Sequence, residues 1–380
     1  MIYLDHAATT PMHPQVAEAM QPYLFENFGN PSSTHQWGRR AKTAIDRARK
    51  TIAEAIHIEP SQLIFTSGGT ESDNMALIGV AMANRERGRH IITSQIEHHA
   101  ILHTCAFLEE IGFDVTYLPV DRQGKISLQS LEEAIRPDTI LVSLIYANNE
   151  VGTVQDIYSI GEMLKERHIY FHSDGVQALG SIELNLAQLP IDMMSFSAHK
   201  LNGPKGVGAL YVSRNVKMKP LLYGGAQERK RRAGTENVAG IVGFAEAVKL
   251  SSNHIGEKKR LYRDFRAMML SIFKEANISF VVNGHEADAL PHILNVSFPG
   301  ADTESLLMNL DLAGIAASSG SACASGSLEP SHVLQAMNVD PSVLRSAVRF
   351  SFGAGNTAEE IRSAAIKTTE IVKKLTKNLP

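Results

Sequence analysis

The sequence predicts an α/β protein, with a large, mostly parallel sheet between helices in an αβα arrangement plus a smaller α+β domain. Three observations carry this reading. Between about residues 60 and 215, short β-branched and apolar runs alternate with amphipathic stretches, the rhythm of a parallel sheet whose crossovers are helical. Beyond about residue 255 the texture changes to helix, strand, helix. Across 380 residues, 44% hydrophobic and 20% charged side chains supply enough apolar material for cores of this size.

The elements follow in order. Trp37, Ala41, Ala44, Ile45, Ala48, Ile52 and Ala55 recur at helical spacing with arginines and lysines opposite, which predicts an exposed amphipathic helix. The strands expected of the large sheet are QLIFTS, HIITS, VTYLPV, TILVSLIY, IYFHSD, MMSFS and VGALYVS. In the second region ISFVVNG and HILNVSFPG read as strands and ESLLMNLDLAG as a short helix. The last helix opens on a capping box, Thr357 to Glu360, and aligns Ile361, Ala364, Ala365, Thr368, Ile371, Val372 and Leu375 on one face. No repeat or low-complexity linker interrupts the chain. The expected division is a large domain at 16–255 and a small one made of 1–15 and 256–380, the latter carrying a mobile loop at about 318–330.

The net charge of −3 exerts no global pull toward nucleic acid or an anionic membrane. The basic run Arg229, Lys230, Arg231, Arg232 reads as a solvated loop, with a phosphate-proximal role for one arginine left open. No run approaches the roughly 18 apolar residues that a membrane span needs, and MIYLDHAATTP lacks the plan of a secretory signal. A cytoplasmic protein with no membrane or direct nucleic-acid partner is expected. Of the two cysteines, Cys105 in ILHTCAFLEE reads as a small buried hydrophobe. Cys323 sits in AASSGSACASGSLEPSHVL, where alanine, serine and glycine leave little to pack against a thiol.

Chemistry concentrates in a few segments. SFSAHKLNGPKG places His199 and Lys200 after a buried strand, where α/β active sites collect. TSGGTESDN follows a strand and opens a helix, so Gly69 and Thr70 can offer backbone N–H groups and a hydroxyl to a phosphate. Its glycine spacing fits neither a P-loop nor a dinucleotide fold. Together with YLDHAATTP, NFGNPSSTH, EHHA, NNEVGTVQDI, HSDGVQALG, GTEN, SSGSACASGSLEPSHVL and VRFSFG, these motifs occur in the order found in one family. The chain resembles the cysteine desulfurases, class V aminotransferase-like members of the fold-type I PLP-dependent transferases, over nearly its whole length.

The resemblance implies a cofactor, pyridoxal 5′-phosphate (PLP), with Lys200 as its Schiff-base lysine rather than the nearby Lys205. It implies Asp174 on the pyridinium nitrogen, Gln177 on the phenolic oxygen, and Ser197 and His199 with Gly69 and Thr70 on the phosphate. His98 would stack on the ring and assist proton transfers. Thr235 would reach the phosphate of a neighbouring subunit, which implies a homodimer. Asn149 matches a residue close to cofactor and substrate, and Arg349 matches the clamp for the substrate carboxylate. Arg345 competes with it, because both can share a helical face if VLRSAVRFSFG begins as helix. Cys323 would attack the sulfur of L-cysteine, release L-alanine and carry a persulfide to sulfur-acceptor proteins, an iron–sulfur scaffold or a tRNA-thiolating enzyme. No stable metal site is implied, although an iron–sulfur cluster can contact Cys323 in passing. The longer loop around Cys323 resembles that of housekeeping desulfurases. A class V aminotransferase or a selenocysteine lyase of the same fold is the alternative.

Overall fold

The structure, a computed structural model, describes residues 1–320 and 330–377. The first part of the chain forms β1 (Ile2–Tyr3), α1 (Pro14–Phe25), α2 (Gln36–Ala55), β2 (Leu63–Thr66), α3 (Gly69–Asn84), β3 (His90–Ser94), α4 (His99–Glu110) and β4 (Asp114–Leu118). Then come α5 (Leu128–Ala134), β5 (Thr139–Ile145), α6 (Ile157–Glu166), β6 (Tyr170–Asp174), β7 (Met193–Ser197), β8 (Gly208–Val212) and α7 (Val238–Ser252). The remainder is α8 (Ile255–Glu275), β9 (Val281–Asn283), β10 (Ile293–Ser297), α9 (Thr303–Leu312), β11 (Ile315–Ala316), α10 (His332–Ala336), α11 (Pro341–Leu344), β12 (Ala347–Ser351) and α12 (Ala358–Thr376).

All seven strand segments expected of the large sheet are present, in the order β2-β8-β7-β6-β5-β3-β4. Strands β4, β3, β5, β6 and β7 are parallel, and β8 runs antiparallel to both β7 and β2. Successive strand residues face opposite sides, so each strand feeds two cores. Phe65, Ile92 and Val142 join α2, α6 and α7 on one face. Ile64, Ile91 and Leu141 join α3 and α4 on the other. A sheet covered on both faces needs apolar residues at consecutive positions, which is why its strands read as unbroken apolar runs.

The later region has its own core. Phe265, Met269 and Phe273 of α8 and Ile361, Ala364 and Ala365 of α12 pack on the sheet β12-β10-β9 through Leu294, Val296, Val348 and Phe350. The capping box of α12 forms: Thr357 Oγ1 accepts from Glu360 N at 3.2 Å, and Glu360 Oε2 accepts from Thr357 N at 3.1 Å. Residues 2–7 bridge the two regions: β1 pairs with β11 and Ala7 N donates to Ser351 Oγ, while Ala7 O accepts from Gln177 Nε2 and Lys200 Nζ.

Two expectations for α2 need correction. Trp37, placed on the apolar stripe, is 42% exposed and stacks on Phe28 with ring centroids 5.1 Å apart. Arg49, placed on the solvated face, is buried against Glu228. The helix buries its other face on α7, so it is only half exposed. Among the described residues no helix is long and apolar enough to cross a membrane.

Candidate active site

A cavity of about 290 Å³ opens at the carboxyl ends of β5, β6 and β7. Its lining includes Gly69, Thr70, His98, Asn149, Asp174, Gln177, Ser197, His199, Lys200 and Arg349. Every described residue expected at the site is therefore there except Thr235, which is exposed in the loop before α7. Cys323 lies outside the described residues.

Each side chain is held by its element. Lys200 follows β7 in a single 3₁₀ turn, and its Nζ donates to the carbonyls of Ala7 and Ala8 at 2.7 and 2.8 Å. Lys205 is exposed and does not reach the cavity. Asp174 ends β6, buried, with Oδ1 accepting from Val176 N at 2.9 Å. Burial pushes its carboxyl up to about 6, against the opposing pull of the Val176 amide and the Lys200 charge. Gln177 Nε2 donates to Ala7 O at 3.0 Å.

Helix α3 begins without a side-chain cap, because Gly68 at φ 157°, ψ −174° occupies the N-cap position in a conformation open essentially to glycine alone. Its first-turn N–H groups therefore face the cavity mouth at Gly69 and Thr70 with the positive end of the helix dipole behind them. A Cβ on Gly69 would lie 2.7 Å from Val176 Cγ2, so only glycine lets this helix end press onto the loop after Asp174.

The substrate-facing wall comes from the later region. Arg349, on β12, is 1% exposed and donates from Nη1 to Asn149 O at 2.7 Å and from Nη2 to Asp5 Oδ1 at 2.8 Å. Its Nε has no partner among the described residues. Arg345 is exposed at the end of α11, in a different element, so the shared helical face does not exist. Asn148 spends its amide on Ile96 O and on the N–H groups of Glu150 and Val151, which leaves Asn149 as the asparagine at the cavity.

His98 is the N-cap of α4, and its Nδ1 accepts from Ala100 N at 3.1 Å. Burial, with Lys200 nearby, lowers its pKa to about 4, so the ring is neutral with its proton on Nε2. His199 is lowered to about 4 for the same reasons and meets Thr9 Oγ1 at 3.1 Å.

Several residues at the site were not foreseen. Asp73 of α3 lines the cavity, fully buried, and its pKa is raised by burial and by Asp174. No local signal marks it, since Glu71, Ser72 and Asn74 surround it in an ordinary polar first turn. His99, Glu150 and His332 also line the cavity; Pro330 and Ser331 before His332 are helix-start signals that could have located it. The basic run is better anchored than a solvated loop: Arg232 donates to Glu71 in the first turn of α3 at 2.8 Å, and Glu228, just before the run, is buried. Cys105 is buried as expected, in the core beneath α4.

These groups fit PLP. An uncapped helix end suits its phosphate, a buried carboxyl its pyridine nitrogen, an amine in the same cavity its aldehyde, and a buried guanidinium the carboxylate of an amino acid.

The comparisons with known proteins agree. The family described as aminotransferase class-V matches residues 2–363. A protein of Bacillus subtilis (strain 168) named putative cysteine desulfurase IscS 1 is 55% identical over 376 residues, 99% of each chain. Among solved structures, a NifS-like protein superposes with a TM-score of 0.93 at 38% identity, covering 98% of this chain and 99% of that one. SspA, solved in complex with cysteine, superposes with a TM-score of 0.83 at 40% identity, covering 93% and 99%. On its fold, its cavity and this full-length likeness, the chain belongs to the PLP-dependent cysteine desulfurases of the class-V aminotransferase family.

Proposed function

We propose that this protein takes the sulfur of L-cysteine onto Cys323 as a persulfide, leaves L-alanine, and passes the sulfur to acceptor proteins. One observation carries the substrate side of the reading: the buried guanidinium of Arg349 lines the same cavity as Lys200 and Asp174. Held by Asn149 O and Asp5, it is a fixed cation suited to a substrate carboxylate.

When bound, PLP supplies an electron sink for the pair released at the substrate's α-carbon. Lys200 is the amine that would hold its aldehyde, and its Nζ is the group placed to take a proton from the substrate's α-carbon. Asp174 and Gln177 would hold the ring's nitrogen and phenolic oxygen, with His98 on the same cavity wall. Gly69, Thr70, Ser197 and His199 receive the phosphate. Arg349 fixes the substrate carboxylate and Asn149 borders both molecules. The Cys323 thiolate then attacks the substrate sulfur. The carbon–sulfur bond breaks with its electron pair on carbon, which takes a proton to become the methyl group of alanine.

Thr235 lies outside its own chain's cavity, which supports its delivery to the phosphate site of a second copy and hence a homodimer. The separate cores support a large unit at 16–255 and a smaller one from 1–15 and 256–380. We place the protein in the cytoplasm, with an iron–sulfur scaffold or a tRNA-thiolating enzyme as sulfur acceptor.

Cys323→Ser tests the reading. Alanine and persulfide formation from L-cysteine should collapse while the visible absorbance of the cofactor survives. Unchanged alanine output would overturn it, and favour an aminotransferase-type reaction that does not need this thiol.

A further inference from the structure

Among the described residues, the groups assigned to the phosphate include no cation. Gly69 and Thr70 offer backbone N–H groups and a hydroxyl, Ser197 offers a hydroxyl, and His199 offers a ring that burial and Lys200 keep neutral. Lys200 and Arg349, which line the same cavity, are committed to the aldehyde and to the substrate carboxylate. A phosphate monoester brings a charge of about −1.5 to −2, against roughly half a positive charge from the end of α3. A free carboxylate beside this seat would therefore oppose binding.

Glu71 is such a carboxylate. It is the third residue of α3, directly after Thr70, and its side chain is 12% exposed. A glutamate at this position ordinarily turns back to accept the N-cap N–H, which here would set the charge on Gly68, at the phosphate's seat. It does not do so. Glu71 Oε2 accepts instead from Ser67 N, one residue further back, at 2.6 Å, and Gly68 N turns to Thr66 Oγ1 at 3.4 Å. The first turn of α3 keeps no side-chain cap.

Arg232 holds the carboxylate in that place. Its Nε donates to Oε1 at 2.8 Å and its Nη2 to Oε2 at 3.2 Å, a two-pronged contact. Burial pushes the Glu71 carboxyl up, but Arg232 and Ser67 together outweigh it and hold its pKa below the usual value. The carboxylate is thus ionised and matched by the guanidinium. Arg232 is 21% exposed and does not line the cavity, so its reach to the seat runs through Glu71.

We infer that Arg232 is a positioning residue for the cofactor's phosphate: by pinning and neutralising Glu71 it keeps one of the chain's own anions out of the seat that the phosphate takes. The inference rests on the phosphate binding at Gly69 and Thr70. It requires no contact between Arg232 and the phosphate.

Equilibrium dialysis of the full-length protein against PLP, and against pyridoxal, which lacks the phosphate, separates this role from a structural one. Arg232→Gln should raise the dissociation constant of PLP by about 5- to 20-fold at low salt, and that of pyridoxal by less than about two-fold. At about 1 M salt, where screening shortens to roughly 3 Å, the PLP effect should shrink to about two-fold. Glu71→Gln keeps an acceptor for the Ser67 N–H and should bind PLP at least as tightly as the wild type. Combining it with Arg232→Gln should return the PLP constant to within about three-fold of the wild type, a coupling that independent sites would not show.

Equal weakening of PLP and pyridoxal by Arg232→Gln, or no weakening of either, would reduce the pair to a structural contact and overturn the inference. So would a double variant as weak as Arg232→Gln alone, because Arg232 would then act on the phosphate itself. A wild-type protein that holds pyridoxal as tightly as PLP would remove the phosphate seat at Gly69 and Thr70, and this inference with it.

Discussion

Two buried arginines, Arg49 and Arg349, solve the same electrostatic problem in different ways. Arg49 is locked onto one carboxylate: Nη1 donates to Leu63 O and Glu228 Oε2, Nη2 donates to Glu228 Oε1, and Glu228 Oε2 also accepts from Phe65 N. The guanidinium lies over the Phe65 ring, 4.6 Å from its centroid, and borders no part of the active-site cavity. Arg349 is equally buried but unfinished: it lines the cavity, its one carboxylate contact is to the 21% exposed side chain of Asp5, and its Nε has no partner among the described residues. Burial and charge do not distinguish a structural ion from a binding one. The hydrogen-bond inventory does.

The largest effect should come from the Arg49–Glu228 pair. Arg49→Ala strands the Glu228 carboxylate and should cost about 3–5 kcal/mol of unfolding free energy, measured by urea titration of the PLP-loaded protein. Adding Glu228→Gln, which keeps an acceptor for Phe65 N–H, should recover part of that loss. A specific drop in kcat for the folded Arg49→Ala protein would break the contrast.

Arg349→Lys should do the reverse. It keeps the charge but loses the planar pair of donors, and should lower kcat/KM for L-cysteine by about 10- to 100-fold, mostly through KM. Its unfolding free energy should fall by less than that of Arg49→Ala.

Glu97 gives the smallest and most diagnostic effect. Its Oε2 is buried without a partner, yet the side chain is absent from the cavity lining, so an orphaned atom alone does not mark a ligand site. Burial pushes its carboxyl up to about 8. Between about pH 4.5 and 8 the native state then holds a proton that the unfolded chain has lost, so this group's contribution to stability falls as pH rises across that window. Glu97→Gln should flatten that part of the pH dependence and match or exceed the wild type at pH 8, read by denaturation at pH 5 and 8.

The sequence made the large sheet legible because strands buried on both faces announce themselves as apolar runs, and the α12 capping box because its spacing is local. The order of motifs located Lys200, Asp174, Gln177 and Arg349. What it could not convey was partnership. Arg49 looked solvated because its partner Glu228 lies 179 positions away. Arg345 and Arg349 were inseparable by spacing until the chain between them turned from α11 into β12. Asn148 and Asn149 differ only in which one the backbone has already used. His332 escaped notice because only the fold brings it to the cavity, where its Nε2 donates to a carbonyl 235 residues earlier in the chain.

The contact between Asp5 and Arg349 joins residues 344 positions apart, and Ala7 to Ser351 spans the same distance. A ribosome adding about 5–20 residues per second therefore makes the first strand wait for tens of seconds before its partners exist. Over that interval the nascent chain can complete its seven-stranded sheet, with Lys200 at the end of β7, but not the wall that holds the substrate. Assembly is thus ordered in time: the half that would hold the cofactor can form first, and the ability to grip an amino acid arrives only when the end of the chain returns to its beginning.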